Sequence, residues 1–268
     1  MPDRRRLHRR FTEAAVRRIT TKPATAMKFP ARHTLRPSLL ALLLGCLIGS
    51  SVAHAMGVVP ETSVVIVDEA DGEGTISVRN TDNHPTLLHT TVEPIPEDKA
   101  ELVIVTPPIA RVEAGAVQLV RFVLADNAPL ATQRLARVSF SGIPPKRQGK
   151  NEIQTIIRQN LPVLIQPQDL ARNDRPWELL KWSIEDGKLI VRNDSRYVVR
   201  LEQKVQLLPS GQIVSLPAPY VLAGQTRRIA LAREAATPER VRLFPATVYG
   251  YSVDHYDAAL APAAVTQR

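Results

Sequence analysis

Short runs of β-branched residues, each closed by turn residues, recur from residue 58 almost to the end of the chain, and no amphipathic stretch of about ten residues or more keeps a helical period. Val58-Val59 and Val64-Val65-Ile66-Val67 begin the series. Asp71-Gly72-Glu73-Gly74 reads as a turn, Thr75-Ile76-Ser77-Val78-Arg79-Asn80 alternates with period two, and a second turn occupies 80–85. Further strands are predicted at 87–93, 102–105, 117–124, 135–140 and 153–165, with a short helical turn expected within 126–137. Strands roughly 8–15 residues apart, with turn signals between them, predict an all-β antiparallel sandwich.

The stretch 166–176 is polar, flanked by Pro167 and Pro176, and aperiodic, as an interdomain linker is. A second series of strands follows it, at 179–184, 188–192, 198–208, 213–215, 226–231, 241–243 and 247–253. Trp177 and Trp182 open this half and are expected to be core aromatics, because rings of that size bury so much area. The division predicted is a leader over 1–55, a first sandwich over 56–166, a linker over 167–176 and a second sandwich over 177–262.

The formal charge of +9 suggests a nucleic-acid or anionic-membrane partner at first sight. Eleven of the 35 basic residues, however, fall within residues 1–55, against only Asp3 and Glu13 of the 26 acidic ones. The remainder holds 24 of each sign and is neutral, which removes the argument for a nucleic-acid protein. Met27, Lys28, Arg32 and Arg36, the apolar run 39–48 and then Ser50-Ser51-Val52-Ala53-His54-Ala55 have the order of a secretory signal peptide, with cleavage expected after Ala55 and Met27 the more natural start. The apolar run is too short for the ~18–20 residues of a membrane span, so no stable membrane insertion is expected after cleavage. The only cysteine, Cys46, lies inside this leader; the apolar run continues past it, which argues against lipid attachment there. The mature chain then has no disulfide and depends on its cores.

No constellation for catalysis is present. The histidines beyond the leader, His84, His89 and His255, lack metal-ligand spacing. There is no GxSxG, HExxH or phosphate-cradling glycine loop. The acidic run 68–73 does not have the ligand spacing of a calcium loop and reads as a solvated turn. A non-enzymatic protein without cofactor or metal is expected.

Several segments, in order, resemble the periplasmic pilus-assembly chaperones of the chaperone–usher pathway, the PapD-like family. The segment 56–67 is similar to that family's first strand, and Thr75-Ile76-Ser77-Val78-Arg79-Asn80-Thr81 to its second. Thr106-Pro107-Pro108-Ile109-Ala110-Arg111-Val112-Glu113-Ala114-Gly115 resembles its TPPxxRLxPG segment, and Val120-Arg121 follows as the family's VR does. Gly142-Ile143-Pro144-Pro145 stands where it has EIPP, 159–167 resembles the end of its long seventh strand, and 191–199 its NPTPYYV. The resemblance implies two immunoglobulin-like sandwiches in an L or boomerang arrangement, a periplasmic location, and a chaperone that holds pilin or fimbrial subunits by donor-strand complementation and delivers them to an outer-membrane usher. The competing expectation is a structural or adhesive surface protein built of sandwich domains.

The seventh strand has a physical reading of its own. Ile153, Thr155 and Ile157 share one face of an extended segment. Pro162 has no ladder donor, so the strand carrying it is expected to have one open side. An open apolar edge invites pairing with another chain, and strand addition is what a donor strand does. Ile153, Thr155 and Ile157 are therefore the expected subunit-binding residues. The resemblance also implies an arginine in the first strand and a lysine in the seventh that bind the subunit's terminal carboxylate. Ser63 and Pro162 stand at those positions here, and Gly142 replaces the glutamate of EIPP. Arg158 is the nearest substitute anchor, with Arg196 and Arg200 as further basic candidates in the second half.

Overall fold

The computed structural model describes residues 57–126, 128–145, 156–231 and 238–261. The leader and cleavage site expected from the sequence lie outside them, as do Ile153 and Thr155. The described residues are all-β apart from one 3-10 turn and form two sandwiches.

Alternation builds the first sandwich. Nine strands form it: β1 (Val58–Pro60), β2 (Val65–Asp68), β3 (Glu73–Asn80), β4 (Thr86–Pro94), β5 (Val103–Thr106), β6 (Ile109–Val112), β7 (Val117–Leu124), β8 (Arg134–Ile143) and β9 (Arg158–Gln166). On β3, Ile76 and Val78 are buried while Thr75 and Arg79 are exposed, as the period-two pattern requires. The strands connect in the order β5-β7-β3-β2-β9-β8-β4-β6, with β1 beside β3. Val65, Val67, Ile76, Val120, Phe122, Val138, Phe140, Val163 and Ile165 fill the space between the layers. Between β1 and β2 the chain changes layers: β1 pairs antiparallel with β3, and β2 runs parallel to β9 from Val65 opposite Val163 to Asp68 opposite Gln166. Gly142 lets β1 approach β8, since a Cβ there would lie 3.0 Å from Val58 Cγ1. A glutamate at that position would press its Cβ against the Val58 side chain, which would have to give way.

A 3-10 turn (Pro176–Leu179) leads into the second sandwich, with proline at its start, where a missing amide proton costs nothing. The strands are β10 (Lys181–Glu185), β11 (Lys188–Arg192), β12 (Val199–Leu208), β13 (Gln212–Ser215), β14 (Tyr220–Val221), β15 (Thr226–Ala230), β16 (Arg240–Pro245) and β17 (Tyr256–Ala261). Their order is β13-β12-β16-β17-β10-β11-β15, with β14 beside β12. Trp177 and Trp182 are buried with Leu189, Val191, Val205, Leu207, Val241 and Leu243. Each sandwich also buries one asparagine. Asn80 Nδ2 donates to the carbonyls of His84, Val112 and Glu113, and Asn193 Nδ2 to those of Tyr197, Val221 and Leu222. Each asparagine ties the turn after its strand to a neighbouring segment.

A third apolar cluster joins the sandwiches. Val64, Ile95, Leu135 and Leu164 of the first meet Val198 and Tyr220 of the second. Polar contacts frame it. Gln133 Nε2 donates to Gln166 Oε1 at 2.6 Å, and Gln133 Oε1 accepts from the Val198 amide at 2.8 Å. Glu97 of the first sandwich accepts from the Tyr220 hydroxyl at 2.8 Å and from Arg227 Nη2 at 2.7 Å.

Three differences from the sequence expectation have physical reasons. β17 is alanine-rich, a composition of low strand propensity, and exists because β16 and β10 pair with it on both sides. The segment read as a strand over 247–253 is a tight loop instead, turned by Gly250 at φ +86°. No helical turn occurs among the described residues of 126–137; β8 begins at Arg134, and the backbone just before it is spent on the second sandwich, with the Gln133 amide donating to the Arg196 carbonyl.

Candidate functional site

β9 is the element around which the site is built. β8 pairs with all of it but the last residue, from Arg134 opposite Ile165 to Ser141 opposite Arg158. β2 pairs only with Val163–Gln166. The backbone from Arg158 to Pro162 thus has a neighbour on one side and an open edge on the other. Pro162 is the last residue before β2 joins, buried and opposite Arg137. Just before the strand, Ile156 and Ile157 are 52% and 48% exposed, whereas Leu161, Val163 and Ile165 further along are core residues.

The layer's outer face beside this edge is polar. Arg158 Nη2 pairs with Glu93 Oε1 at 2.7 Å, with both side chains largely exposed. The same Glu93 oxygen accepts from Ser139 Oγ at 3.1 Å, and Ser139 Oγ accepts from Asn160 Nδ2 at 2.9 Å. Arg137 Nε donates to Asn160 Oδ1, and its Nη2 to the Asn160 carbonyl at 2.9 Å. Arg196 is engaged as well, donating to Asp169 at 2.7 Å and to the Ala131 carbonyl at 2.6 Å.

Arg200 differs from these. It projects from β12 of the second sandwich, half-buried, and its Nη1 is shielded from solvent with no hydrogen-bond partner among the described residues. Burial, reinforced by the charge of Arg137, pushes its guanidinium down to about 10. Burial also holds Arg137 below the ordinary arginine range, with Tyr220 and Glu93 partly offsetting it. Two cations from different sandwiches therefore share one partly desolvated region, and neither forms an ion pair among the described residues.

A cavity of about 860 Å³ opens where β2 parts from β9. Gln159, Asn160 and Leu161 line one side, residues 60–64 another, and Tyr249 and Tyr251 of the second sandwich its rim. Ser63 lines it, whereas Pro162 does not; Asn160, held by Arg137, is one of the three β9 residues that do. Arg137, Tyr249 and Tyr251 were not singled out by the sequence. An arginine between the buried Ala136 and Val138 was the available signal for the first; the tyrosines fell inside the misread strand. No group of side chains able to hold a metal ion occurs among the described residues, and no helix among them is long and apolar enough to cross a membrane.

An uncharacterized fimbrial chaperone of Escherichia coli K12, YhcA, is 43% identical over 203 residues, which span 75% of this chain and 90% of that protein. The chain belongs to the fimbrial chaperone family. The N-terminal domain of the pili and flagellar-assembly chaperones, the PapD N-terminal domain, matches residues 57–171. A Klebsiella pneumoniae chaperone protein, MrkB, is 28% identical over 173 residues, 60% of this chaperone and 74% of its own length. Among solved structures, a chain of the Salmonella enterica complex of SafA pilin with the SafB chaperone superposes with a TM-score of 0.63 at 20% identity, covering 78% of this chaperone and 99% of that chain. The two-sandwich fold is thus the fold of the pilus chaperones, and pilus assembly is the role this chaperone has.

Proposed function

We propose that this chaperone works in the periplasm, holds a fimbrial subunit by adding β9 and the residues before it to the subunit's incomplete sandwich, and passes the subunit to an outer-membrane usher. The observation that carries the reading is the open edge of β9 over Arg158–Pro162, preceded by the half-exposed Ile156 and Ile157. Exposed apolar edges are normally suppressed because they recruit other chains, and main-chain pairing along such an edge is how strand addition gains affinity. Ile153, Thr155 and Ile157 are the proposed donor side chains. The signal-like order of residues 27–55 supports export.

The terminal carboxylate of the subunit is proposed to be received by Arg200 with Arg137, in place of Arg158, whose charge is already answered by Glu93. A desolvated guanidinium with an unused donor gains most from an incoming anion. Affinity purification of the tagged chaperone from the periplasm of its native host, followed by mass spectrometry, tests the reading. A fimbrial subunit recovered in equal amount is expected, and recovery of no subunit from cells that are assembling fibres overturns it.

A further inference from the structure

We infer that the loop 246–252 of the second sandwich is a recognition element, in which Tyr249 and Tyr251 receive an aromatic side chain of the strand added along β9. The inference rests on the strand-addition reading.

The loop is a built object. Ala246 bridges Ser252 at its stem. The Thr247 amide donates to the Tyr251 carbonyl at 2.8 Å, the Gly250 amide to the Thr247 carbonyl at 2.9 Å, and the Tyr251 amide to Thr247 Oγ1 at 3.1 Å. Its tip is seated on the first sandwich. Ser63 Oγ donates to the Tyr249 carbonyl at 3.2 Å. A Cβ on Gly250 would lie 2.1 Å from Ser63 Oγ and 2.9 Å from Val64 Cγ2, at a φ of +86°. Only a residue without Cβ fits there, and only a small residue at position 63 leaves the seat open. Ser63 is thus the residue that positions the loop, which explains why no long basic side chain stands there.

Seated in this way, the loop holds Tyr249 and Tyr251 at the rim of the cavity, 49% and 74% exposed. Arg172 Nη1 donates to the Tyr249 hydroxyl at 3.5 Å. A single exposed tyrosine needs no explanation. Two on a fixed loop, across a cavity from an unpaired strand edge, are placed for a ligand: tyrosine offers a large, rigid contact area with a polar tip. The occupant follows from continuity. The cavity is lined by Gln159, Asn160 and Leu161, so a strand pairing with the open edge of β9 passes through it. Its chemistry follows from the lining, which holds no lysine, arginine or histidine and includes the carboxylate of Glu61. With the Tyr249 and Tyr251 rings beside Val64, Ile66 and Leu161, such a surface suits a neutral ring, and the volume is that of a ligand site.

The test uses the leaderless chaperone labelled with 15N and with 13C-tyrosine. The probes are two acetylated peptides of alternating threonine and valine, identical except for phenylalanine or alanine at one position near the C-terminus. The expected result is that both peptides shift the amide resonances of residues 158–161, that only the phenylalanine peptide shifts the Tyr249 and Tyr251 rings, and that it binds about two- to tenfold more tightly. The Tyr249→Ser, Tyr251→Ser double variant should bind the two peptides equally. Shifted β9 amides with unmoved tyrosine rings, or a phenylalanine preference that survives in the double variant, overturn the inference and leave strand addition standing. If neither peptide moves the β9 amides, strand addition itself fails and the inference falls with it.

Discussion

Arg137 on β8 and Arg200 on β12 bring two guanidinium charges from different sandwiches into one partly buried region, where burial first and the charge of Arg137 second lower the protonation of Arg200. Arg137 spends two donors on Asn160, while Arg200 Nη1 is buried and unmatched among the described residues. Natural folds rarely leave a buried donor without an acceptor. An anion supplied by a bound partner, as proposed for the subunit's carboxylate, would remove the conflict.

The free chaperone should therefore be more stable without the second charge. Arg200→Met keeps an unbranched apolar stem and removes a desolvated cation whose unmatched donor costs roughly 1–3 kcal/mol. The depressed guanidinium is still protonated near neutral pH, since its folded value is about 10, so the cost is fully present there and is relieved only as pH rises through that value. Thermal melts at pH 7 should show the variant melting higher, while co-expressed subunit is recovered in lower yield. A lower melting temperature means the guanidinium is satisfied within the fold, and the anchor assignment is then wrong.

Glu97, Tyr220 and Arg227 form a latch between the sandwiches, with Arg227 also lying 5.6 Å from the centre of the Tyr220 ring. Burial pushes the Glu97 carboxyl up, but the hydrogen bonds from Tyr220 and Arg227, with the Arg227 charge, outweigh it and hold the group below its ordinary value. A carboxylate depressed in the folded state contributes stability above its unfolded pKa and loses it as pH falls through the folded one. Glu97→Gln should therefore cost about 1–2 kcal/mol at pH 7. The gap between wild-type and variant melts should narrow as pH falls below about 4.5. A gap independent of pH points to lost packing instead of lost charge.

Asn80 and Asn193 play the same part in their two sandwiches, so their alanine variants should behave alike. Each removes the donor shared by three carbonyls in a buried position, which costs roughly 2–4 kcal/mol. Hydrogen exchange should localise the loss: Asn80→Ala is expected to deprotect β3 and the 113–116 turn, and Asn193→Ala to deprotect β11 and the segment around Leu222. Deprotection of both sandwiches by either variant would show that they unfold as one unit.

The strand rhythm was readable because one face of most strands is buried, and burial of one face leaves period two in the sequence, as at Ile76 and Val78. β9 was readable for a different reason: a proline inside an apolar run requires an open side, and β2 does leave it at Pro162. What the sequence does not carry is partnership between distant residues. Arg137 and Arg200 meet only because the two sandwiches pack through Leu135, Leu164, Val198 and Tyr220. The tyrosine loop was hidden by Val248, Tyr249 and Tyr251, whose apolar character imitates a strand until the positive φ of Gly250 and its seat on Ser63 are known. Asn80 reads as a turn residue, and so it is, but its complete burial, like that of Asn193, depends on segments that close over it from elsewhere in the chain.

The remaining prediction concerns the donor side chains. Ile157 is half-exposed just before β9, so its apolar surface is available to a partner, and Ile153 shares its face in an extended chain. A subunit lacking its last strand presents an apolar groove, and burying an isoleucine there is worth roughly 1.5–3 kcal/mol each. Ile153→Asp with Ile157→Asp puts two carboxylates into that groove, where desolvation without a partner is costly. Subunit recovery from the periplasm should be lost and the subunit degraded, while the chaperone's own melt moves by less than about 1 kcal/mol, as expected if the donor side chains stay outside its core. The combination of readouts is what makes the test decisive. A variant that unfolds assigns these side chains to the chaperone's own packing, and a variant that stays folded and still protects its subunit moves the binding surface away from β9 altogether.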